Sequence, residues 1–172
     1  MSKIFLIGFM GVGKTTVGKV LAKKLNYTFY DTDDDEHWIK SGYPGGTNDI
    51  FWKNRKKFKD TETDVLKDII MNSDKNSIIS TGGSIVLRRA NVDLMKSNGT
   101  IIFLNADAKT ITDRINNSDD SNKYNIIKGN SIEDTKKFMR IRRPKYKITK
   151  LEIDTSDKSI EEVCSDIISE FF

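Results

Sequence analysis

The sequence has very little cysteine and histidine. Among its 172 residues, Cys164 is the one cysteine and His37 the one histidine. A lone cysteine excludes an internal disulfide and a cysteine-cluster metal site, and a lone histidine excludes a multi-histidine metal site. Cys164 lies among apolar residues at helical spacing, so we expect a buried core thiol.

Long hydrophobic runs are also missing. No apolar run approaches the roughly 20 residues that span a bilayer. Met1-Ser2-Lys3 is followed by only a short apolar stretch and then by glycines, which is not the pattern of a signal peptide. We therefore expect a cytoplasmic protein with no membrane partner.

The chain also has no large excess of positive or negative charge. The chain has 29 Lys and Arg against 25 Asp and Glu, a net charge of +4, and the signs are mixed along it. The densest basic run, 136–147, lacks the glycine–aromatic interleaving or zinc spacing of many nucleic-acid modules, and a site for a small polyanion would also need arginines. We expect a small-molecule substrate and no nucleic acid. No apolar stripe is left over once core positions are assigned, which favours a monomer.

The chain has only two prolines and no repeat or proline-rich linker. Segments with the pattern of a strand alternate along it with segments that have the pattern of a helix. Strands are predicted at 3–8, 28–31, 77–81, 100–105 and 151–155, and helices at 14–25, 58–71, 90–96, 107–115, 131–142 and the C-terminus. This alternation predicts one α/β domain over 1–172, with a five-stranded parallel sheet and helices on both faces. The polar stretches 40–57 and 117–130 interrupt it and are predicted to be loops over the site.

The first strand runs into a phosphate-binding pattern. Gly8-Phe9-Met10-Gly11-Val12-Gly13-Lys14-Thr15 fits G-x-x-x-x-G-K-[ST]. Glycines let successive N–H groups point at one anion, and the following helix adds its positive end. Lys14 would reach the β- and γ-phosphates, and the Thr15 hydroxyl would bind Mg²⁺. A plain glycine-rich turn would match by chance on the order of one time in a hundred. The predicted nucleotide-binding residues are Gly8, Gly11, Val12, Gly13, Lys14, Thr15 and Thr16.

Two carboxylates follow the second predicted strand. Asp31 and Asp33 lie at its end, and residues two apart in an extended segment point the same way. Asp31 would hold Mg²⁺ through water, and Asp33 would take the proton from an attacking hydroxyl. The acidic residues 34–36 fit a solvated helix start instead. The Asp31–Asp33 pair therefore favours a kinase.

The order of several motifs resembles that of shikimate kinase. The chain carries GFMGVGKTTVG, then Asp31-Thr32-Asp33, then Thr81-Gly82-Gly83, then Arg142-Arg143-Pro144 with Tyr146. The resemblance covers the whole chain and implies a three-layer P-loop kinase fold with a lid at 117–130. It also implies transfer of the γ-phosphate of ATP, with Mg²⁺, to the 3-hydroxyl of shikimate in aromatic amino-acid biosynthesis.

The resemblance also implies roles for individual residues. Lys14 and Asp33 would be catalytic, and Asp33 would also bind the substrate hydroxyls. Arg114 would lie against adenine. Gly82 and Gly83 would present N–H groups to the substrate, and Arg142 would bind its carboxylate, a contact that suits a guanidinium.

The chain departs from the family pattern around the acceptor and the lid. Lys59 stands where an arginine is usual, and Ser84 replaces a third glycine, which would crowd the acceptor or strain the backbone. The lid has no arginine, and Lys123 is the nearest substitute for its phosphate contact. Two alternatives therefore stay open. One is a P-loop kinase acting on another small hydroxylated acid, and the other is a nucleotide-binding relative without catalysis.

Overall fold

A five-stranded parallel sheet forms the centre of the protein. The computed structural model describes residues 3–51, 53–118 and 131–171. The strands are β1 (Lys3–Ile7), β2 (Thr28–Asp31), β3 (Ser77–Ser80), β4 (Gly99–Asn105) and β5 (Glu152–Asp154), in the spatial order β2-β3-β1-β4-β5. Every residue of β1 is buried, as a continuous apolar run between two neighbouring strands requires. The predicted parallel sheet is confirmed.

Helices cover both faces of this sheet. They are α1 (Lys14–Leu25), α2 (Asp35–Lys40), α3 (Thr47–Phe51), α4 (Arg55–Asn72), α5 (Arg89–Asn98), α6 (Ala108–Asn116), α7 (Ile132–Tyr146) and α8 (Ile160–Phe171), with a 3₁₀ turn at Ile85–Leu87. Right-handed crossovers place α1 on one face and α4 and α5 on the other. The packing agrees, since α1 contacts α8 and α4 contacts α5. In the part of the chain that the structure describes, no helix has the length and apolar character to cross a membrane.

Side-chain caps decide where several helices begin. The Asn54 side chain accepts a hydrogen bond from the Lys57 N–H at 3.0 Å, so α4 starts three residues before the predicted position 58. Ser131 and Asp134 form a reciprocal capping box at the start of α7. A side-chain cap of this kind stabilises a helix by about 1 kcal/mol.

The stretch 40–57 is not the loop that the sequence predicted. It contains α3 and the first turn of α4. Ile50 of α3 packs with Trp38 and Phe58 in a small second core. A helix of five residues is too short to show a period, and its stability comes from this packing. Of the predicted lid at 117–130, residues 119–130 lie outside the described residues.

Helix α7 is longer than predicted, because it continues through Pro144 to Tyr146 instead of ending at 142. Pro144 has no N–H to offer to the carbonyl of Arg140, but Arg140 is exposed, so water can serve that carbonyl. Tyr146 is buried and stacks on Phe103 of β4 with ring centroids 5.2 Å apart. This packing holds the last turn in place.

Candidate active site

The phosphate loop between β1 and α1 depends on glycine. Gly8, Gly11 and Gly13 have φ angles of 150°, 78° and 96°, a region that side chains rarely adopt. At Gly8 an added Cβ would lie 2.3 Å from the Leu104 carbonyl oxygen. The Lys14 ammonium donates to the carbonyls of Gly8 at 2.9 Å and Phe9 at 3.0 Å. The loop therefore curls around a buried positive charge.

Asp31 connects this loop to the end of β2. Its carboxylate accepts a hydrogen bond from the Thr15 hydroxyl at 2.7 Å and another from the Asp33 N–H at 3.0 Å. The hydroxyl of Ser80, a residue that the sequence did not single out, lies 3.5 Å from the Thr15 hydroxyl. Hydroxyl and carboxylate oxygens are the ligands that Mg²⁺ prefers. The structure thus brings the two predicted magnesium ligands into direct contact.

The turn after β3 lies against Asp33. A Cβ added to Gly82 would come within 2.6 Å of Asp33 Oδ1, so the glycine leaves room for this half-buried carboxylate. The Gly82 N–H, which the resemblance assigned to the substrate, donates to the Thr32 hydroxyl at 2.8 Å. Gly83 is next to the phosphate loop, since its added Cβ would be 3.7 Å from the Met10 nitrogen. The turn therefore brings Asp33 close to the phosphate loop.

Tyr146 fixes the same turn from the other side. Its hydroxyl donates to the Gly83 carbonyl at 2.6 Å. Burial raises the pKa of Tyr146, and the charge of the half-buried Arg142, one turn earlier on α7, opposes that rise. The predicted carboxylate-binding Arg142 therefore lies one helical turn before the residue that contacts Gly83. Sequence reasoning gave Tyr146 no role, and its only signal was its place in the arginine-proline-tyrosine motif.

Glu62 of α4 is a second acidic group in this region. It is 2% exposed, and burial raises its pKa to about 7. The Ser84 hydroxyl donates to Glu62 Oε1. Ser84 itself has φ −95° and ψ −9°, an ordinary helical conformation. The expected backbone strain at Ser84 is therefore absent.

The predicted acceptor-side lysine is on the exposed side of α4. The backbone carbonyl of Lys59 accepts hydrogen bonds from Thr63 and Arg88. The charge of Lys59, three residues earlier on the same helix, lowers the pKa of Glu62. Arg55, one turn earlier, has its guanidinium carbon 3.9 Å from the centre of the Phe51 ring.

A cavity of about 280 Å³ opens on the other side of the phosphate loop. Arg114 of α6 lines it and is held by Thr155, with 3.0 Å to the hydroxyl and 2.8 Å to the carbonyl. The Thr155 hydroxyl donates in turn to the Val12 carbonyl at 3.1 Å. The described residues that line the cavity are Gly11, Val12, Gly13, Thr16, Val17, Arg114, Ser118, Thr155, Lys158, Ile160 and Val163.

Five of the predicted nucleotide-binding residues line this cavity, namely Gly11, Val12, Gly13, Thr16 and Arg114. Ile153-Asp154-Thr155 fits the family pattern, but sequence reasoning gave Thr155 no role, because nothing in its local pattern points to Arg114. The predicted lid residue Lys123 lies outside the described residues.

Comparison with known proteins decides the family. The family model for shikimate kinase matches residues 10–171. The chain belongs to the shikimate kinase family. Among its family relatives, the shikimate kinase of Azobacteroides pseudotrichonymphae is 41% identical over 140 residues, covering 81% of this chain and 79% of its own length. That of Caldicellulosiruptor bescii is 37% identical over 171 residues, covering 98% and 95%.

A solved member of the shikimate kinase family has the same fold. The enzyme of Acinetobacter baumannii, determined in complex with shikimate, superposes with a TM-score of 0.84 at 27% identity, covering 99% of this chain and 92% of that one. The family and the fold class predicted from the sequence are both confirmed.

Proposed function

We propose that this protein transfers the γ-phosphate of ATP to the 3-hydroxyl of shikimate, a step of aromatic amino-acid biosynthesis. The observation that carries this is the position of the Asp33 carboxylate, which packs on Gly82 in the turn whose next residue adjoins the phosphate loop. A base is thereby close to the place where a terminal phosphate would lie. Membership of the shikimate kinase family supports shikimate as the acceptor.

The proposed chemistry is an in-line phosphoryl transfer. The oxygen of the acceptor hydroxyl forms a bond to the γ-phosphorus, and Asp33 accepts the proton that this hydroxyl loses. The bond from that phosphorus to the β–γ bridging oxygen breaks, and ADP leaves. The Lys14 ammonium and the loop N–H groups stabilise the charge on the transferred group. Positioning and fixed charges of this kind account for most of the catalysis in phosphoryl transfer.

The residues that would hold Mg²⁺ are Thr15 and Asp31. Their side-chain oxygens are hard metal ligands, and they lie 2.7 Å apart at the mouth of the phosphate loop. A magnesium ion there would neutralise part of the phosphate charge. Asp31 and Thr15 orient each other through the same contact.

The remaining assignments extend this proposal to the substrates. Arg142 and Lys59 would bind the acceptor carboxylate, with Gly83 beside the reacting hydroxyl. The nucleotide would occupy the cavity at Arg114, with Lys123 contacting phosphate. We further propose one kinase domain over 1–172 with an acceptor-side segment at 40–57 and a lid at 117–130. A monomer in the cytoplasm stays a prediction.

An acceptor panel tests the proposed function. ADP release is measured with shikimate, quinate, gluconate and nucleoside monophosphates. Shikimate is expected to support turnover, and Asp33→Asn to lower it by about 10²- to 10⁴-fold. Nucleotide affinity should be unchanged. Asp34→Asn is the matched control, since Asp34 caps α2 and asparagine caps equally well.

Two results would contradict the proposal. Turnover with another acceptor and none with shikimate would favour a related kinase. Nucleotide binding without turnover on any acceptor would favour a non-catalytic relative.

A further inference from the structure

The two glycines of the turn after β3 differ in what their N–H groups do. Gly82 is buried, and its N–H donates to the Thr32 hydroxyl at 2.8 Å. Gly83 is half-buried, and its N–H has no hydrogen-bond partner among the described residues. Backbone N–H groups are strong donors that are normally paired. Gly83 is therefore the residue of this turn that can offer a donor to a ligand.

Gly83 lies beside the phosphate loop. A Cβ added to it would be 3.7 Å from the Met10 nitrogen and 3.8 Å from the Gly8 carbonyl oxygen, and both atoms belong to the loop. The preceding residue, Gly82, packs against Asp33, the proposed base. In the proposed transfer the γ-phosphate lies between the loop and this base. It is therefore the anionic group that the Gly83 N–H would meet.

The Tyr146 side chain holds Gly83 in place. Its hydroxyl donates to the Gly83 carbonyl at 2.6 Å, and within the described part of the chain Gly83 makes no other hydrogen bond. A glycine has more backbone freedom than any other residue, so this bond decides how the peptide groups at Gly83 are turned.

Tyr146 connects Gly83 to a rigid part of the fold. The tyrosine is 2% exposed, and its ring stacks on Phe103 of β4. β4 is paired with β1 and β5 on its two sides. Gly83 follows β3, on the far side of β1, so the tyrosine links the turn to a strand across the one that leads into the phosphate loop.

We propose that Tyr146 is a positioning residue for phosphoryl transfer, which holds Gly83 so that its N–H donates to the γ-phosphate as that group passes to the acceptor. This rests on the proposed function, since it requires a phosphoryl group between the phosphate loop and Asp33. Donors that are already aimed at the transferring group stabilise the charge that spreads over its oxygens in the transition state. The direction of this N–H therefore affects the rate of transfer more than the binding of either substrate.

Steady-state kinetics of Tyr146→Phe with ATP, magnesium and shikimate test this role. The substitution keeps the ring and its stack on Phe103 and removes only the hydroxyl. We expect kcat to fall about tenfold while the KM values for ATP and shikimate change less than about twofold. Tyr30→Phe is the matched control, because Tyr30 is half-buried and its hydroxyl makes no hydrogen bond among the described residues. An unchanged kcat in Tyr146→Phe, or a loss confined to KM, would overturn the proposal.

A second measurement needs no turnover. The amide protons of Gly82 and Gly83 are followed by NMR as the β,γ-imido analogue of ATP is added with magnesium. In the native protein the Gly83 resonance is expected to move downfield as its N–H meets the terminal phosphate, whereas that of Gly82, which donates to Thr32, should stay. In Tyr146→Phe the movement at Gly83 should be smaller.

The results separate this role from the proposed function. An equal movement at Gly83 in both proteins, or none in the native protein, would overturn the role of Tyr146 even if shikimate is phosphorylated. The expected difference at Gly83, together with no turnover of shikimate by the native protein, would support the role and overturn the proposed function.

Discussion

At the scale of single residues, Gly8 shows the tightest constraint in the phosphate loop. Its φ angle is 150°, and an added Cβ would collide with the Leu104 carbonyl oxygen at 2.3 Å. That oxygen belongs to backbone at the end of β4 and cannot turn away. Gly42 has φ 90° but nothing within 4 Å of an added Cβ, so it carries the dihedral cost alone.

We predict that Gly8→Ala is more destabilising than Gly42→Ala. The dihedral cost is about 1–3 kcal/mol at each position, and Gly8→Ala adds the collision. Urea unfolding of both variants measures the difference in the free energy of unfolding. Nucleotide affinity should fall in Gly8→Ala alone. Equal losses of stability would show that the contact with Leu104 does not constrain the loop.

Lys59 leads to a prediction about the acceptor. A lysine keeps the positive charge but cannot bind a carboxylate with two parallel N–H donors as arginine does. Lys59→Arg is therefore expected to lower the KM for shikimate severalfold while kcat changes little. Steady-state kinetics measure both constants. An unchanged or higher KM would mean that the side chain at this position does not face the acceptor.

The role of a residue is easier to predict when its contacts are close to it in the sequence. Lys14 and Thr15 are defined by a local pattern, and Asp31 follows from its place at a strand end. The contacts of Glu62 with Ser84 and of Arg114 with Thr155 join residues 22 and 41 positions apart. Nothing local marks such pairs, since serine and threonine are ordinary in turns and strand ends. The structure is needed to find them.

At the scale of elements, α2, α3 and the start of α4 form a small unit beneath the acidic turn. Trp38 of α2 is fully buried and stacks on Phe58 of α4, with ring centroids 5.0 Å apart. Its indole N–H donates to the Thr32 carbonyl at 2.8 Å. Thr32 separates Asp31 from Asp33, so this unit fixes the backbone that carries both carboxylates.

Trp38→Phe is predicted to lower the free energy of unfolding by about 1–3 kcal/mol, because it leaves the Thr32 carbonyl without its donor. It should also raise the KM for shikimate. Urea unfolding and kinetics check the two effects. The control is Ile39→Ala, since Ile39 is the next residue on α2 and is 51% exposed. If both variants behave alike, the indole hydrogen bond does not hold the turn.

The elements differ in how well the sequence predicts them. Strands β1 and β4 contain continuous apolar runs, and the predicted bounds of all five strands agree with the structure to within one residue. Helices α2 and α3 have six and five residues, too few to display a helical period. Helix α7 passes Pro144 because Tyr146 anchors its last turn, and a pattern that treats proline as a stop misses this.

At the scale of the whole molecule, strand order explains why one site has two ends. β1 lies between β3 and β4, so the phosphate loop emerges where the chain reverses direction across the sheet. On the β3 side the loop meets Asp33 and the Gly82-Gly83 turn. On the β4 side it meets Arg114 and Thr155. A nucleotide in the cavity would therefore direct its terminal phosphate towards the acceptor carboxylates.

In the proposed function, these two ends of the site act together to phosphorylate shikimate. The most direct test incubates the protein with ATP, magnesium and shikimate and examines the product by phosphorus and proton NMR. We expect a single new phosphate ester whose phosphorus couples to the proton on carbon 3, and we expect it to form at least about a hundredfold more slowly when Asp33→Asn replaces the native protein. Shikimate recovered without phosphate, or phosphate on a different oxygen, would contradict it.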